Sequence, residues 1–263
     1  MPLFTLLLVA CGGEPAVVVP VGVPVVAEVA PAAGVTLEPG APLPMTLTEE
    51  KVESSLPALT QADGSPGIVA LKYYVVDGLA DASMEQRINA LLSPTYVAGE
   101  LDPRELESMT PTVTWNQGGV LQVRYVLSAV GAYSTEWPEV VTIDVASAVP
   151  LPAVDVFVPE KRAELVALLD GKLKALKPTH AEAAAMPEME SQLNSPFTAE
   201  ELGTYELSPA GISFTHDYGV PHVAKALLDT DTLTLDWATV APFIDPASVV
   251  AKLPGSSAAV APK

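Results

Sequence analysis

A single cysteine in 263 residues excludes an internal disulfide framework and any zinc or iron–sulfur centre built on several thiolates. Three histidines leave little for metal ligation, so no metal and no cofactor is expected. Positive charge is scarce as well: 13 Lys and Arg stand against 32 Asp and Glu, a net charge of −19. Nucleic acid is therefore a poor partner, since binding it relies on basic side chains that displace counterions. Peripheral attachment to anionic lipid is disfavoured for the same reason. The sequence also lacks G-x-S-x-G, H-E-x-x-H, Walker A and G-x-G-x-x-G patterns, and no catalytic residue is assigned. Apolar residues are not scarce. At 49% they are enough for a core, which excludes wholesale disorder.

The apolar run Leu3 to Ala10 ends at the lone cysteine, Cys11. It is far too short for a membrane span, which takes about 20 residues, and sits at the lower edge of a secretory signal core. Leu8-Val9-Ala10-Cys11, followed by Gly12-Gly13, resembles the lipobox of bacterial lipoproteins. That resemblance implies a signal peptide over 1–10, cleavage before Cys11 and a lipid on its sulfur. No Lys or Arg precedes Cys11, so the basic start of such a signal is expected upstream. The competing reading is a buried N-terminal strand with an incidental thiol. Prolines at 15, 20, 24, 31, 39, 42 and 44 interrupt every run that follows, so neither helix nor central strand propagates. Residues 11–65 are expected to be an extended tether. Gly12 after the cysteine implies, by analogy, passage to the periplasmic face of the outer membrane; the expected location is extracytoplasmic.

Residues 66–253 are the expected folded body, large enough to bury roughly 70% of its unfolded surface, with 254–263 as a flexible tail. Ile68 to Val76 reads as a strand closed by Asp77-Gly78. Ser83 and Gln86 read as a capping box opening a helix with Ile88, Leu91 and Leu92 on its apolar stripe. Thr112–Trp115 and Val120–Val130 flank the glycine-bearing turn Asn116 to Gly119, with Leu121, Val123, Tyr125 and Leu127 on one face. Further strands are expected over 140–145, 154–158, 205–207, 211–215 and 232–235. Pro159 opens the strongest helix, 160–177, with leucines at 165, 169, 173 and 176. Thr198 and Glu201 form a second capping box. Strands interleaved with helices predict an α+β fold, an antiparallel sheet with a few packed helices.

Two stretches carry a further resemblance. One runs from Val120 through Gly131-Ala132-Tyr133, Trp137-Pro138-Glu139 and Thr142-Ile143-Asp144 into the long helix. The other is Tyr205-Glu206-Leu207 through Gly211-Ile212, Asp217-Tyr218 and Pro221 to Trp237. With Tyr73-Tyr74, Gly78 and Ile88-Asn89 they resemble the extracytoplasmic domain shared by RsiV-type anti-sigma factors and PdaC-type peptidoglycan deacetylases. Tyr133 stands where a histidine often follows Gly-Ala in that family. The resemblance implies an envelope-facing accessory domain; the RsiV-type members bind lysozyme.

Three clusters are candidate sites. His216-Asp217-Tyr218 with His222 reads either as a loop able to bind a ligand or metal, or as a sheet edge packed by His and Tyr. Asp229, Asp231 and Asp236 resemble a calcium loop, but the glycine needed for the sharp turn is absent, which favours acidic residues flanking a strand. Tyr133, Glu136 and Trp137 form an aromatic–acidic loop, with Trp137 either facing a sugar or cationic partner or filling the core. The acidic balance attracts basic partners. The expectation is a non-enzymatic envelope lipoprotein that binds peptidoglycan or a basic protein such as lysozyme. The alternatives are a structural lipoprotein of an envelope complex and a peptidoglycan-acting hydrolase.

Overall fold

The structure is a computed structural model that describes residues 43–60, 66–129, 135–220, 224–225 and 228–253. Cys11, the stretch up to residue 42, Tyr133, His222 and the tail 254–263 lie outside these residues. Strand β1 (Thr46–Thr60) and strand β2 (Pro66–Asp77) pair antiparallel, from Thr46 opposite Asp77 to Leu56 opposite Gly67. Residues 46–60, expected as part of the tether, are thus a strand, and the folded body begins before residue 66. The interrupting prolines run only to Pro44. Pro57 falls where the ladder loses register between Leu56 and Thr60. Moreover, β1 is an edge strand, where a missing N–H is tolerated.

Helix α1 (Ala82–Leu92) starts at Asp81 rather than at Ser83. The Asp81 carboxylate accepts the N–H groups of Ser83 and Met84 at 2.8 and 3.3 Å. Met84, Ile88 and Leu92 are buried. Asn89 fastens the helix to β2: its amide donates to Val76 O at 2.9 Å and its oxygen accepts Val76 N–H at 2.7 Å. A single turn, α2 (Pro94–Val97), leads on towards β3 (Leu106–Gln117), which lies parallel to β2 with Leu71 opposite Met109. The sheet is therefore mixed, not wholly antiparallel as expected. Strand β4 (Val120–Ala129) follows through Gly118-Gly119, both at positive φ (64° and 84°), as a two-residue hairpin turn demands. Strands β5 (Thr135–Asp144) and β6 (Val149–Pro150) complete the order β1-β2-β3-β4-β5-β6.

Helix α3 (Ala153–Val156) occupies the segment expected as a strand over 154–158. Pro152 and Pro159 bracket it, each lacking the N–H a ladder requires. Only Phe157 makes a β-bridge, to Ile244. Helix α4 (Arg162–Leu176) buries Leu165, Leu169 and Leu173 as its spacing predicts, after a 3-10 turn that begins at Pro159. Short turns α5 (Ala181–Ala184) and α6 (Glu190–Leu193) precede a second, antiparallel sheet: β7 (Glu206–Ser208), β8 (Gly211–Asp217) and β9 (Thr230–Asp236). Helix α7 (Trp237–Val240) follows, and two 3-10 turns (Ala241–Phe243 and Val249–Lys252) come after it. The architecture is α+β. Among the described residues no helix is long and apolar enough to cross a membrane.

Strand β4 joins two cores. Leu121, Val123, Tyr125 and Leu127 face α1 and the first core, where the Tyr125 hydroxyl donates to Leu92 O at 3.1 Å. Val120 belongs to the second core, with Phe157, Leu169 and Phe214. A register shift between Val113 and Trp115 likewise carries Trp115 from the first core's side into the second. The weld is Gln122, wholly buried. Its amide donates to Thr142 Oγ1 (2.8 Å) and Tyr205 O (3.1 Å). Its oxygen accepts Leu207 N–H (2.7 Å) and the Thr114 hydroxyl (2.9 Å). Every hydrogen-bonding capacity of that amide is used, and all but Thr114 lie far along the chain.

Candidate functional site

Beyond Gln122 the two sheets part, and a cleft of about 670 Å³ opens between them. Arg124 and Val126 line it from β4, and Glu136 and Trp137 from β5. Thr215 and Asp217 face it from β8, and Thr232 from β9. Strand alternation explains the lining. On β8, Ile212, Phe214 and His216 are buried, whereas Ser213, Thr215 and Asp217 point the other way.

The cleft brings Glu136 and Trp137, from one expected cluster, together with Asp217 from another. Trp137 is half-buried against the first core and also lines the cleft. Glu136 is exposed. Two cations are present but engaged: Arg124 Nε lies 3.2 Å from Glu206 Oε1, and Lys225 Nζ 3.2 Å from Asp229 Oδ1. The Arg124 contact is an ion pair without hydrogen-bond alignment. Glu136 and Asp217 have no cationic partner among the described residues. Burial pushes the Glu206 carboxyl above its ordinary range, and Arg124 offsets only part of that.

The other face of β8 carries a buried polar cluster. His216 is 1% exposed, and both its ring nitrogens are engaged: Nδ1 lies 2.7 Å from Glu201 Oε1 and Nε2 3.1 Å from Ser195 Oγ. Glu201 also accepts the N–H groups of Thr198 (2.6 Å) and Asp217 (3.3 Å). Burial works to raise the Glu201 carboxyl. The hydrogen bonds from His216 and Thr198 together outweigh it and hold the group below its ordinary range. Tyr218, buried beside His216 with ring centroids 4.6 Å apart, donates its hydroxyl to Asp231 at 2.6 Å. His180 Nε2 lies 2.8 Å from the same carboxylate oxygen. Burial, and then the Asp231 contact, raises the Tyr218 phenol.

The structure therefore divides the expected His216-Asp217-Tyr218 cluster. Asp217 reaches the cleft, while His216 and Tyr218 face inward. His216 and Asp217 end a strand rather than sitting on a loop. Asp229, Asp231 and Asp236 are committed to separate partners: Lys225, the His180–Tyr218 pair, and the N–H of Thr239 at the start of α7. Arg124, His180 and Ser195 were not anticipated. The sequence hinted at the buried cluster in two places: the reading of His and Tyr packed at a sheet edge, and the Thr198–Glu201 capping spacing, of which only half the box forms, with Glu201 accepting from Thr198.

No family model and no curated protein matches the chain. Solved structures do resemble it. A member of the DUF3298 family from Bacteroides fragilis superposes with a TM-score of 0.55 at 14% identity, covering 79% of this chain and 95% of that one. A DUF3298 family protein from Pseudomonas aeruginosa gives 0.51 at 12% identity, covering 80% and 98%. At such identities the likeness shows a shared fold, that of a domain of unknown function.

Proposed function

We propose that this chain is a lipid-tethered, acidic binding module of the bacterial cell envelope whose inter-sheet cleft takes a basic protein of the lysozyme kind. One observation carries the reading: Glu136 and Asp217 line the cleft from opposite sheets, as does Trp137, and neither is paired with a cation among the described residues. A partner's Lys or Arg placed over the indole and between the carboxylates combines cation–π attraction with charge pairing. The net charge of −19 supports the same class of partner by accelerating encounter. The lipobox-like tetrad ending at Cys11 and the RsiV- and PdaC-type resemblance support the envelope location. The two DUF3298 structures are compatible with it in fold.

The full chain is expected to be retained on immobilised basic lysozyme at low salt and released as salt rises. Retention by purified peptidoglycan with none on lysozyme would transfer the cleft to a wall glycan and overturn the choice of partner. The anchor is tested separately. Labelled palmitate should enter the native protein and fail to enter a Cys11→Ser variant; cytosolic, unlabelled protein would remove the envelope reading.

A further inference from the structure

The buried cluster behind β8 holds three side chains in the order of a nucleophile, a base and an orienting carboxylate. We propose that Ser195 is a nucleophile, activated by His216 and positioned through Glu201, that accepts the acyl group of small activated esters and retains it. The Ser195 Oγ to His216 Nε2 distance of 3.1 Å lies within proton-transfer reach, and the 2.7 Å contact from Nδ1 to Glu201 fixes the ring. Glu201 is itself held by Thr198 and Asp217 N–H groups, so it cannot swing away. Tyr218 meets the imidazole edge-on and Phe197 lies 6.2 Å away at a tilt, which restricts the ring to one plane. Ser195, just past α6, is half-buried, more open than the imidazole behind it.

The Ser195 hydroxyl also reaches Gln192 O at 2.7 Å. That carbonyl already accepts the Ser195 N–H at 2.9 Å, so it stays satisfied when the hydroxyl proton turns to His216. In the reaction Oγ bonds to the ester carbonyl carbon while its proton passes to Nε2. The tetrahedral adduct then collapses, the ester C–O bond breaks, and the leaving oxygen carries away either the electron pair alone or, for a poor leaving group, the proton from Nε2 as well. The products are acyl-Ser195 and the alcohol or its anion.

The backbone around Ser195 explains why the acyl group would stay. Serine hydrolases stabilise the developing oxyanion with free N–H groups. Here the Ser195 N–H is given to Gln192 O, Pro196 has none, the Phe197 N–H goes to Asp170 Oδ1 and the Thr198 N–H to Glu201. Only esters with good leaving groups should acylate without such help, and water should remove the acyl group slowly. The chemistry is stoichiometric capture rather than turnover. It is independent of the cleft, which lies on the opposite face of β8.

The probe is p-nitrophenyl acetate on the full chain. One equivalent of nitrophenolate should appear as a burst with little turnover, and peptide mapping should place one acetyl group on Ser195. Ser195→Ala should abolish that adduct, and His216→Asn should slow its formation about 100-fold. The titratable groups facing His216 are Glu201, Tyr218 and, across the ladder, Asp231. If His216→Asn fails to fold, Glu201→Gln decides: it keeps a side chain opposite Nδ1 but removes the orienting charge, and acylation at Ser195 should slow about tenfold or more. No acetyl group on Ser195, an equal rate in folded His216→Asn, or an equal rate in Glu201→Gln would each overturn the assignment.

Discussion

The two faces of β8 differ in how their carboxylates are satisfied. On the inner face Glu201 accepts from a histidine and two backbone amides, and its carboxyl is held low. On the cleft side Glu206 has one ion pair against its burial, and its carboxyl is pushed high. A fully partnered carboxylate has little left to offer a ligand. An under-partnered one gains by meeting a cation, and that gain is what a binding surface requires. The same strand thus separates an internal relay from an external receptor, and the period-2 alternation of its side chains is the cause.

The comparison can be broken most severely at Gly211, where the small sheet turns. Its φ is 150°, and a β-carbon there would run into the Leu235 carbonyl on β9. Gly211→Ala should cost about 4 kcal/mol in urea unfolding and disturb both faces together. Gln122→Leu comes next. It leaves Leu207 N–H and Tyr205 O buried without their partner, and a loss of about 3 kcal/mol is expected.

Glu201→Gln sharpens the contrast between the faces. Removing the charged acceptor should cost about 2 kcal/mol at neutral pH. Because the folded Glu201 carboxyl lies below its ordinary value of 4.5, its contribution is complete above that pH and is lost as pH falls through the folded value. The gap between wild type and Glu201→Gln should therefore close on acidification, and a constant gap would place the effect elsewhere.

The smallest effect on stability should come from the cleft. Glu136→Lys with Asp217→Lys should stay within about 0.5 kcal/mol of wild type in unfolding, yet weaken retention on a basic partner about tenfold or more, roughly 1.4 kcal/mol. A cation arriving beside Glu206 lowers its raised carboxyl again. Binding should accordingly release protons and strengthen as pH rises through the acid range, measurable by calorimetry in buffers of different ionisation heat.

Much of the architecture was written in local pattern. The leucines of α4 at 165, 169 and 173 are buried as their spacing requires, and the alternating face of β4 lies in the first core. Local pattern failed where neighbours outvoted it. Strand β1 is polar and follows a proline-rich stretch, so it resembled linker; its partner β2 makes it a strand. Residues 154–158 are rich in valine, yet flanking prolines and the packing of Val156 and Phe157 turn them into helix and a lone bridge.

Composition and periodicity, read along one chain, determined the α+β class, the acidity, the helix expected over 160–177 and the hairpin around Asn116 to Gly119, because each depends on neighbours a few residues apart. Only the tertiary structure decided that Asp217 and His216, adjacent in sequence, serve different faces, and that Glu136 lines a cleft with the first while Ser195 and Glu201 contact the second. Such meetings depend on how two sheets are welded through Gln122 and on which way a strand turns its side chains. Those are properties of the packed chain that no local window contains.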